Sequence, residues 1–505
     1  MQTILLGIDI GTSACKVAFF GPDGDILAQR GEPYNVYYPK PGWAEQNPTE
    51  WWSSVCKAIK ATISENNINV NDIAGIGIGG QSWSAIPLAG NGDVLCNTPI
   101  WMDTRAQDIC DSLDEAIGEK TFFEICGNPL KPSYSLPKIL WYKKYLPEVY
   151  EKTDKILQSN GYIAYMLTGK ISMDLSQGYG FQNFNLRTGQ FDFELSKEAG
   201  LRADIFPEVT SCHSIVGLVT KKAASETGLP EGIPVVAGGL DAALSTLGSG
   251  AIDDGETQEQ GGQAGGMSIV TSSCLTNIKL ITSYHVIPDR WLLQGGTVGG
   301  GGVLRWFVEQ FGEYEKLNSK QNGLNVFSEI TKLAEQIKPG SDGLIFLPYM
   351  SGERSPIWDP YAKGVYYGVD FSKTKGHFIR ASLEGVAYSL KHNLETSEMS
   401  GATVKELRSV GGAANSLLWT QIKSDATGKP ISVVEADTAT TLGAAMLAGV
   451  AVGVYKDFEE ATKRTVKIKR QHTPNPENTE IYNKAYNIYL EIYENLKSVM
   501  KKSSI

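Results

Sequence analysis

The sequence lacks the patterns that mark several large classes of protein. Its seven cysteines include no Cys-x-x-Cys pair and its five histidines form no ligand cluster, which argues against a structural zinc site. An odd, scattered set of cysteines is typical of reduced thiols in a cytoplasmic protein. No apolar run approaches the roughly 18 residues of a membrane span. The first residues also lack the basic start of a secretory signal. We therefore expect a cytoplasmic protein without a membrane partner.

Basic residues are too few for a protein that binds nucleic acid. The chain has 46 lysines and arginines against 56 aspartates and glutamates, a net charge of −10, whereas nucleic-acid-binding proteins carry a basic stripe. A small anionic nucleotide is still allowed, because a local nest of backbone N–H groups can bind it. At 505 residues, 42% of them hydrophobic, the chain predicts a soluble globular protein of two large domains.

Strand-like and helix-like patterns alternate along the chain. Strands are predicted as a hairpin over 4–20, a buried strand over 73–80, a strand end at 100–103 and a strand over 234–237. Helices are predicted over 48–64, 137–145, 162–168, 303–311 and 417–427, with a loop and a closing amphipathic helix over 470–505. This alternation indicates an α/β fold with covered sheets.

The opening hairpin has the chemistry of a phosphate-binding turn. Asp9 supplies a carboxylate, Gly11 an unhindered backbone, Thr12 and Ser13 hydroxyl groups, and Lys16 an amine. The phosphate tail of a nucleotide with its Mg²⁺ requires such an acceptor and such donors. An ordinary tight turn is the alternative interpretation of this stretch taken alone.

A second glycine-rich hairpin, at 261–270, resembles a degenerate copy of the first. It places a domain boundary near residue 248, giving domains 1–248 and 249–505 that present their hairpins to a shared cleft. Two further glycine-rich turns, at 299–302 and 411–415, each precede a predicted helix. Backbone N–H groups at such turns can meet phosphate.

The order of these segments resembles the FGGY carbohydrate kinases of the actin/hexokinase superfamily. Residues 133–141 (Ser-Tyr-Ser-Leu-Pro-Lys-Ile-Leu-Trp) resemble the first signature of that family, and 364–369 with 377–384 fit the second. Residues 346–356 are similar to the xylulokinase form. The resemblance covers about residues 4 to 455. It implies two ribonuclease H-like α/β domains with a central cleft, and transfer of phosphate from Mg-ATP to a sugar.

The resemblance assigns roles to the polar residues of the first domain. Asp241, in the Gly-Gly-x-Asp position, would be the catalytic base, although capping a helix that begins at Ala242 is the structural alternative. Asp9 would hold Mg²⁺ through water, and Thr12, Ser13 and Lys16 would meet the phosphates. Lys16 could instead be a solvated strand residue.

The second domain would hold the rest of the nucleotide. The residues implied are Gly262, Gln263, Gly265, Gly300, Gly411, Gly412, Ala413 and Asn415. Helix capping is the alternative for 411–415, and close packing is the alternative for Gly299 and Gly300.

The resemblance places the sugar against Gln81, Trp83, Trp101, Asp103 and Asp241. Tryptophans are more often core residues than ligand platforms. Arg105 could pair with Asp103 rather than touch sugar.

Several positions depart from the family pattern. Gln81-Ser82-Trp83 stands where xylulokinases usually carry Gln-Met-His, so one sugar hydroxyl loses a histidine partner. Gln263-Ala264 replaces the usual Thr-Ser of the second hairpin, and Asn160-Gly161 replaces a Lys-Asp pair. Glycerol kinases carry Arg-Glu in the Gln81 loop and a tyrosine at Ser133, so glycerol is disfavoured.

Three functions follow from these observations. The first is an ATP-dependent kinase for a ketopentose such as xylulose, and the second is the same chemistry on a hexulose, polyol or sugar acid. The third is a nucleotide-binding sensor that has lost transfer, which the retention of Asp9 and Asp241 disfavours and the Gln263-Ala264 hairpin weakly favours. A DNA-binding regulator is disfavoured by the charge. The oligomeric state stays open, with a homodimer as a candidate.

Overall fold

The computed structural model describes residues 3–435 and 438–503. The chain divides into two compact units that are not continuous in sequence. Unit 1 contains Met1–Ile252, Ser272–Leu292 and Thr438–Val466, and unit 2 contains Asp253–Thr271, Leu293–Asp437 and Lys467–Ile505. The division at residue 248 stays a prediction about the two halves of the chain.

The strands are numbered in chain order. They are β1 Ile4–Ile10, β2 Ala14–Phe20, β3 Ile26–Pro33, β4 Glu45–Gln46, β5 Ile73–Gly80, β6 Ile86–Leu88, β7 Thr98–Pro99, β8 Lys155–Leu157, β9 Met173–Asp174, β10 Phe184–Asn185, β11 Gln190–Phe191, β12 Val209–Thr210, β13 Ile215–Leu218, β14 Pro234–Val236, β15 Gly239–Leu240, β16 Glu256–Gly261, β17 Gly265–Thr271, β18 Ile281–Tyr284, β19 Trp291–Thr297, β20 Ile345–Leu347, β21 Val365–Tyr367, β22 Glu406–Val410, β23 Ile431–Val434 and β24 Ile468–His472.

The α-helices are numbered in the same way. They are α1 Pro48–Asn66, α2 Gln107–Ala116, α3 Glu119–Cys126, α4 Ser135–Tyr145, α5 Pro147–Lys152, α6 Ser159–Thr168, α7 Phe193–Glu198, α8 Lys221–Thr227, α9 Asp241–Gly248, α10 Gly301–Phe311, α11 Glu313–Asn322, α12 Val326–Glu335, α13 Lys375–Met399, α14 Leu417–Thr427, α15 Ala439–Ala451, α16 Phe458–Thr465 and α17 Pro476–Lys502. Across 3–435 and 438–503, none of these helices is both long and apolar enough to cross a membrane.

The main sheets of the two units share one strand order. Six strands of the first sheet, in unit 1, follow the order β13-β14-β5-β1-β2-β3, and six strands of the second sheet follow the corresponding order β24-β23-β22-β16-β17-β19. Strand β15 completes the first seven-stranded sheet and β18 the second. In each unit the hairpin pair, β1 with β2 or β16 with β17, is antiparallel, and the next strand, β5 or β22, runs parallel to β1 or β16. The prediction of two related α/β halves, each with a glycine hairpin, is therefore confirmed.

Most predicted elements form near their predicted positions. The predicted buried strand is β5, and α14 has the predicted bounds. Asn47 caps α1 by accepting the N–H of Thr49, as expected for a polar residue before a proline.

Two predicted elements are wrong. Residues 100–103 are not a strand end, because β7 stops at Pro99 and Trp101-Met102 forms a turn. In the tail, the predicted closing helix forms as α17, but the start of the predicted loop is wrong, because residues 470–472 belong to β24, which pairs with β23. The alternating polar residues of Ile468–His472 match an exposed edge strand, a pattern that also occurs in loops.

A helix from late in the sequence lies directly on glycines of the first sheet. A Cβ atom added to Gly7 of β1 would lie 2.0 Å from the carbonyl oxygen of Thr441, and one on Gly77 of β5 would lie 1.8 Å from that of Ala444. Real Cβ atoms cannot approach so closely, so α15 would have to move away from the sheet if either glycine gained a side chain. Glycine at these positions therefore sets the distance between α15 and the sheet.

We predict that Gly77→Ala destabilises unit 1. The added methyl group collides with the backbone of α15, and overpacking of this kind costs about 1–3 kcal/mol or more. Thermal unfolding followed by circular dichroism measures the effect as a lower Tm. Gly90→Ala is the matched control, because a Cβ atom there meets nothing within 4 Å. Equal Tm values for the two variants would contradict the packing argument.

Candidate active site

Two carboxylates lie at the same edge of the first sheet. Asp9 is the penultimate residue of β1, and Asp241 begins α9 directly after β15. Both β1 and β15 run parallel to β5, so these strands end at a common edge. The fold thus brings two acidic residues that are 232 positions apart in the sequence to the same edge of the sheet. This edge is where open α/β sheets carry their ligands.

Burial perturbs both carboxylates. It raises the pKa of Asp9 to about 6, opposed by the charge of Lys16, which lies opposite Asp9 on β2. Burial, and then the negative charge of Asp9, raise the pKa of Asp241 to about 7. A carboxylate poised near neutral pH can accept a proton from a hydroxyl group, which is the requirement for a general base.

Asp241 shows only part of the geometry that the helix-capping alternative requires. The helix begins at Asp241 itself, and Leu240 occupies the capping position. Asp241 Oδ1 nevertheless accepts the N–H of Ala242 at 2.7 Å. This hydrogen bond orients the side chain, and the residue remains only half-buried.

The first hairpin turn contacts a residue predicted for the sugar side. Trp101 donates its indole N–H to the Thr12 hydroxyl at 3.0 Å. Because the hydroxyl oxygen accepts this bond, the proton of Thr12 remains available as a donor. Ser13 and Lys16 are exposed beside it. Gln46 donates to the carbonyl oxygen of Thr12 at 2.8 Å and so fixes the turn.

Gln81 and Trp83 lie just after β5 but are differently placed. Gln81 donates to Gln46 at 2.8 Å, while its own side-chain oxygen is buried without a hydrogen-bond partner among the described residues. Trp83 is 9% exposed, and its ring stacks on Tyr134 with centroids 4.2 Å apart. Gln81 therefore has a free acceptor, whereas Trp83 is largely a core aromatic.

Asp103 is fully engaged by protein groups. Its carboxylate accepts the backbone N–H of Ala44 at 2.7 Å and two guanidinium N–H groups of Arg105 at 2.8–3.0 Å. Arg105 also pairs with Glu45 at 2.8 Å. The predicted ion pair between Asp103 and Arg105 is thus present. Asp103 is wholly buried, so its contacts fix the turn that carries Trp101.

A buried polar chain that sequence reasoning missed supports Asp241. Asp174 accepts the hydroxyl of Ser176 at 2.5 Å, and Ser176 accepts the backbone N–H of Leu240 at 2.8 Å. Asn160 joins Asp174 to the carbonyl oxygen of Ala237. The departure at Asn160 in the sequence was the one signal that pointed to this region. These bonds hold the segment immediately before Asp241.

The three glycine-rich segments of unit 2 meet at one edge of the second sheet. The second hairpin joins β16 to β17, residues 299–302 follow β19, and residues 411–415 follow β22. A Cβ atom on Gly261 would lie 2.4 Å from Cβ of Ala413, and one on Gly300 would lie 2.3 Å from the carbonyl carbon of Ala264. Residues about 150 positions apart in the sequence are therefore in contact.

Close packing accounts for Gly300. The N–H groups of Gly301 and Gly302, at the start of α10, donate to the carbonyl oxygens of Gly262 and Gln263 at 2.7 and 3.0 Å. These two donors are therefore used within the protein. The side chain of Gln263 and the backbone of Gly262 are exposed, whereas Gly265 is buried.

Within the segment 411–415, Gly412–Asn415 form a short 3₁₀ turn that follows Gly411. Gly411 has a φ of 85°, a left-handed conformation that favours glycine. Gly412 and Asn415 are exposed, and Ala413 is buried. Ser416 caps the following helix α14, so the capping role falls on Ser416 rather than on Asn415.

Glu353, from the stretch similar to xylulokinases, fixes the turn after β19. It accepts the Thr297 hydroxyl at 2.6 Å and the N–H groups of Val298 and Arg354 at 2.8 and 2.7 Å. Burial raises its pKa to about 7. Its bonds to Thr297 and Val298, which directly precede residues 299–302, were not predicted, because the signal was the resemblance of the stretch rather than a chemical pattern.

The donor set near Asp9 fits a hydrated magnesium ion. Asp9 Oδ1 is buried and has no hydrogen-bond partner among the described residues. Within 3–435 and 438–503 no group of three or more His, Cys, Asp or Glu side chains could hold a metal ion. Mg²⁺ in nucleotide sites takes one or two carboxylates, with waters and phosphate oxygens completing its octahedron. A single carboxylate oxygen at this edge therefore suits such an ion.

Comparison with known proteins gives the same assignment for both halves of the chain. The profile of the "FGGY family of carbohydrate kinases, N-terminal domain" matches residues 4–248, and the C-terminal profile matches residues 267–452. The xylulose kinase of Staphylococcus epidermidis is 31% identical over 509 residues, covering 99% of this chain and 98% of that protein. The gluconokinase of Bacillus licheniformis is 29% identical over 500 residues, covering 99% and 97%.

The fold agrees with these sequence matches. The solved structure of xylulose kinase from Rhodospirillum rubrum superposes with a TM-score of 0.89 at 26% identity, covering 99% of this chain and 100% of that one. This likeness confirms the predicted actin/hexokinase-type α/β fold. The chain belongs to the FGGY family of carbohydrate kinases, and is thus a phosphotransferase that uses ATP to phosphorylate a sugar.

Proposed function

We propose that the protein transfers the γ-phosphate of Mg-ATP to a hydroxyl group of a ketopentose such as xylulose, with Asp241 as the catalytic base. The observation that carries this proposal is the pair of perturbed carboxylates at one sheet edge. Asp241 is half-buried with a pKa of about 7, and Asp9 has a buried oxygen without a protein partner. The carboxylate of Asp241 is suited to accept a proton, and that of Asp9 is suited to bind a cation.

In the proposed reaction the two acids have separate roles. Asp241 takes the proton of the sugar hydroxyl while the oxygen of that hydroxyl bonds to the γ-phosphorus. The bond between the γ-phosphorus and the departing oxygen of ADP breaks in the same step. Asp9 would hold Mg²⁺ through water, and the ion would offset charge on the phosphate oxygens. Thr12, Ser13 and Lys16 would contact the phosphates as donors.

The nucleotide would be held in unit 2 by its exposed glycine-rich segments. Gly262 and Gln263 present an open turn, and Gly412 and Asn415 present a second one. The amide of Gln263 would replace the hydroxyl group that the family usually has there. The backbone of these turns would be shaped by Gly265, Gly300, Gly411 and Ala413. Their close packing supports this role.

For the sugar, Gln81 and Trp101 would make direct contacts. The free acceptor of Gln81 suits a hydroxyl donor, and Trp101 is only partly buried. Trp83 and Asp103 would act by shaping the pocket, since Trp83 is stacked in an aromatic cluster and Asp103 is saturated by Arg105 and Ala44.

A sugar acid such as gluconate is the second candidate substrate. Gluconokinases resemble this chain nearly as strongly as xylulose kinases, at 29% against 31% identity. The Ser82-Trp83 departure from the Gln-Met-His loop also favours a substrate other than xylulose. The sensor alternative is weakened, because both carboxylates needed for transfer stand at one edge.

The compartment and assembly are also proposals. All seven cysteines are free thiols, which fits a reducing cytoplasm that supplies ATP. A homodimer is the proposed assembly, on the strength of the family resemblance.

The substrate is tested by coupled ADP release with Mg-ATP against pentuloses, hexuloses, polyols and sugar acids. We expect the highest kcat/KM with xylulose. The double variant Ser82→Met/Trp83→His, which restores the usual xylulokinase loop, should raise kcat/KM for xylulose and lower it for other accepted sugars. A preference for gluconate in the wild type would select the second candidate. No turnover with any sugar would refute the kinase proposal.

We predict that Asp241→Asn loses transfer but keeps ATP binding. An amide cannot take the hydroxyl proton, and loss of a general base lowers kcat by roughly 10²–10⁴-fold. Isothermal titration would show a Kd for Mg-ATP close to that of the wild type. The control is Asp204→Asn, in an exposed residue, which should keep full activity. Normal turnover by Asp241→Asn would remove this residue from the base role.

We also predict an acidic limb in the pH profile of kcat/KM. The pKa of Asp241 is raised to about 7, so the carboxylate becomes protonated, and unable to accept the hydroxyl proton, as pH falls through that value. Raising the Mg²⁺ concentration should shift the limb to lower pH, because a cation at Asp9 offsets the negative charge that raises this pKa. A profile flat down to about pH 5 would indicate an ordinary carboxyl group and contradict the assignment.

A further inference from the structure

Lys138 is a fully buried lysine in the first signature stretch, and the reaction proposed above does not use it. It lies in α4 and has no exposed surface. Its Nζ atom donates to the carbonyl oxygens of Trp83 and Ile100, each at 2.8 Å. A buried amine needs hydrogen-bond acceptors, and here both acceptors are backbone groups.

These two carbonyl groups belong to separate segments of the proposed sugar site. Trp83 lies two residues after Gln81, and Ile100 directly precedes Trp101. The strands β6 and β7 separate the two segments along the chain. One side chain thus ties together the segments that carry both proposed direct sugar contacts.

The first segment needs such a restraint because Trp83 has an unusual backbone. Its φ is 62°, in the left-handed region that a bulky residue rarely adopts. Strain of this kind persists only where the surroundings hold the residue in place. The hydrogen bond from Lys138 to the Trp83 carbonyl is one such restraint, and stacking on Tyr134 is another.

Neighbouring residues of α4 make similar bonds but join fewer segments. Ser135 donates to the carbonyl oxygen of Ser84 at 3.0 Å, and Tyr142 donates to that of Ala85 at 2.9 Å. Spacings of three and four residues place all three side chains on one face of the helix. Ser135 and Tyr142 anchor the first segment to α4, whereas Lys138 also reaches the second.

We propose that Lys138 is a positioning residue for the sugar, holding the Gln81 and Trp101 segments at the spacing that the substrate requires. This inference rests on the proposed function, since it takes both segments to be the sugar site. Lys138 touches no reacting atom. Its loss should therefore weaken the use of sugar while leaving the nucleotide side unchanged.

The test is Lys138→Met, which keeps an unbranched apolar side chain but removes both hydrogen bonds. We expect the KM for the sugar identified in the panel to rise at least about tenfold, as loss of two buried bonds suggests. The KM for ATP should stay within about twofold. Tyr142→Phe is the matched control. It removes the hydrogen bond from the Tyr142 hydroxyl, on the same helix, to the carbonyl oxygen of Ala85 in the first segment. We expect its sugar KM to rise clearly less than that of Lys138→Met, because the link between the two segments stays in place, and its KM for ATP to stay within about twofold.

The proposal would be overturned if Lys138→Met raised both KM values equally. It would also be overturned if Lys138→Met and Tyr142→Phe had equal effects, because Lys138 would then be a general structural residue. If Lys138→Met is insoluble, Lys138→Gln serves instead, because its shorter amide cannot span both carbonyl groups. The same selective rise in sugar KM is expected for it, and unchanged sugar KM would again overturn the proposal.

Hydrogen exchange of the ligand-free proteins separates this inference from the proposed function. Loss of the two hydrogen bonds from Lys138 should speed amide exchange in residues 82–85 and 101–104 of the variant, whatever the substrate is. Unchanged exchange would overturn the positioning role directly. Faster exchange with an unchanged sugar KM would instead show that the two segments are not the sugar site, so the failure would lie in the proposed function.

Discussion

The close contact between α15 and the glycines of the first sheet is the constraint on which the site in unit 1 depends. Gly7 and Gly77 allow the backbone of α15 to lie directly on β1 and β5. A Cβ atom on Gly443 of that helix would in turn lie 2.0 Å from the carbonyl oxygen of Leu244 in α9. Because α9 begins at Asp241, glycine contacts in two successive layers fix where the proposed base stands relative to Asp9. A side chain at any of these glycines would collide with the backbone of a neighbouring element and disturb the packing between the elements that carry the two carboxylates.

The same geometry explains the electrostatics of the site. Two carboxylates at one buried edge cannot both ionise freely, since each is desolvated and each repels the other. Burial raises the pKa of both, and the charge of Asp9 raises that of Asp241 further. A cation beside Asp9 would relieve this repulsion and favour the ionised base. Ion binding and readiness for proton transfer are therefore coupled in the proposed mechanism.

Buried polar groups hold the segments that carry the proposed ligand contacts. The Asp174–Ser176 pair restrains the residue before Asp241, Lys138 joins the two segments proposed to bind sugar, and Glu353 fixes the turn after β19. Each of these groups is buried and each bonds to backbone N–H or carbonyl groups nearby. Unpaired buried polar groups are costly, so such bonds favour one arrangement of the loops over others. In the proposed site, the positions of the ligand-contacting residues thus depend on buried groups for which no direct contact with substrate is proposed.

From hydrophobic periodicity and glycine-rich turns, which are local signals, the sequence predicts an α/β fold, the two hairpins, most helices and strands, and the carboxylate of Asp9. It also carried the family resemblance, which the comparisons confirm. The three-dimensional packing of the chain was needed to show that α15 belongs to unit 1, that residues 468–472 pair as an edge strand, and that Asp103 is saturated by Arg105. The hydrogen bonds of Lys138, Asp174 and Glu353 were likewise visible only in that packing. These features depend on contacts between residues far apart in sequence, and no local pattern specifies which partner a buried polar group or a glycine will meet.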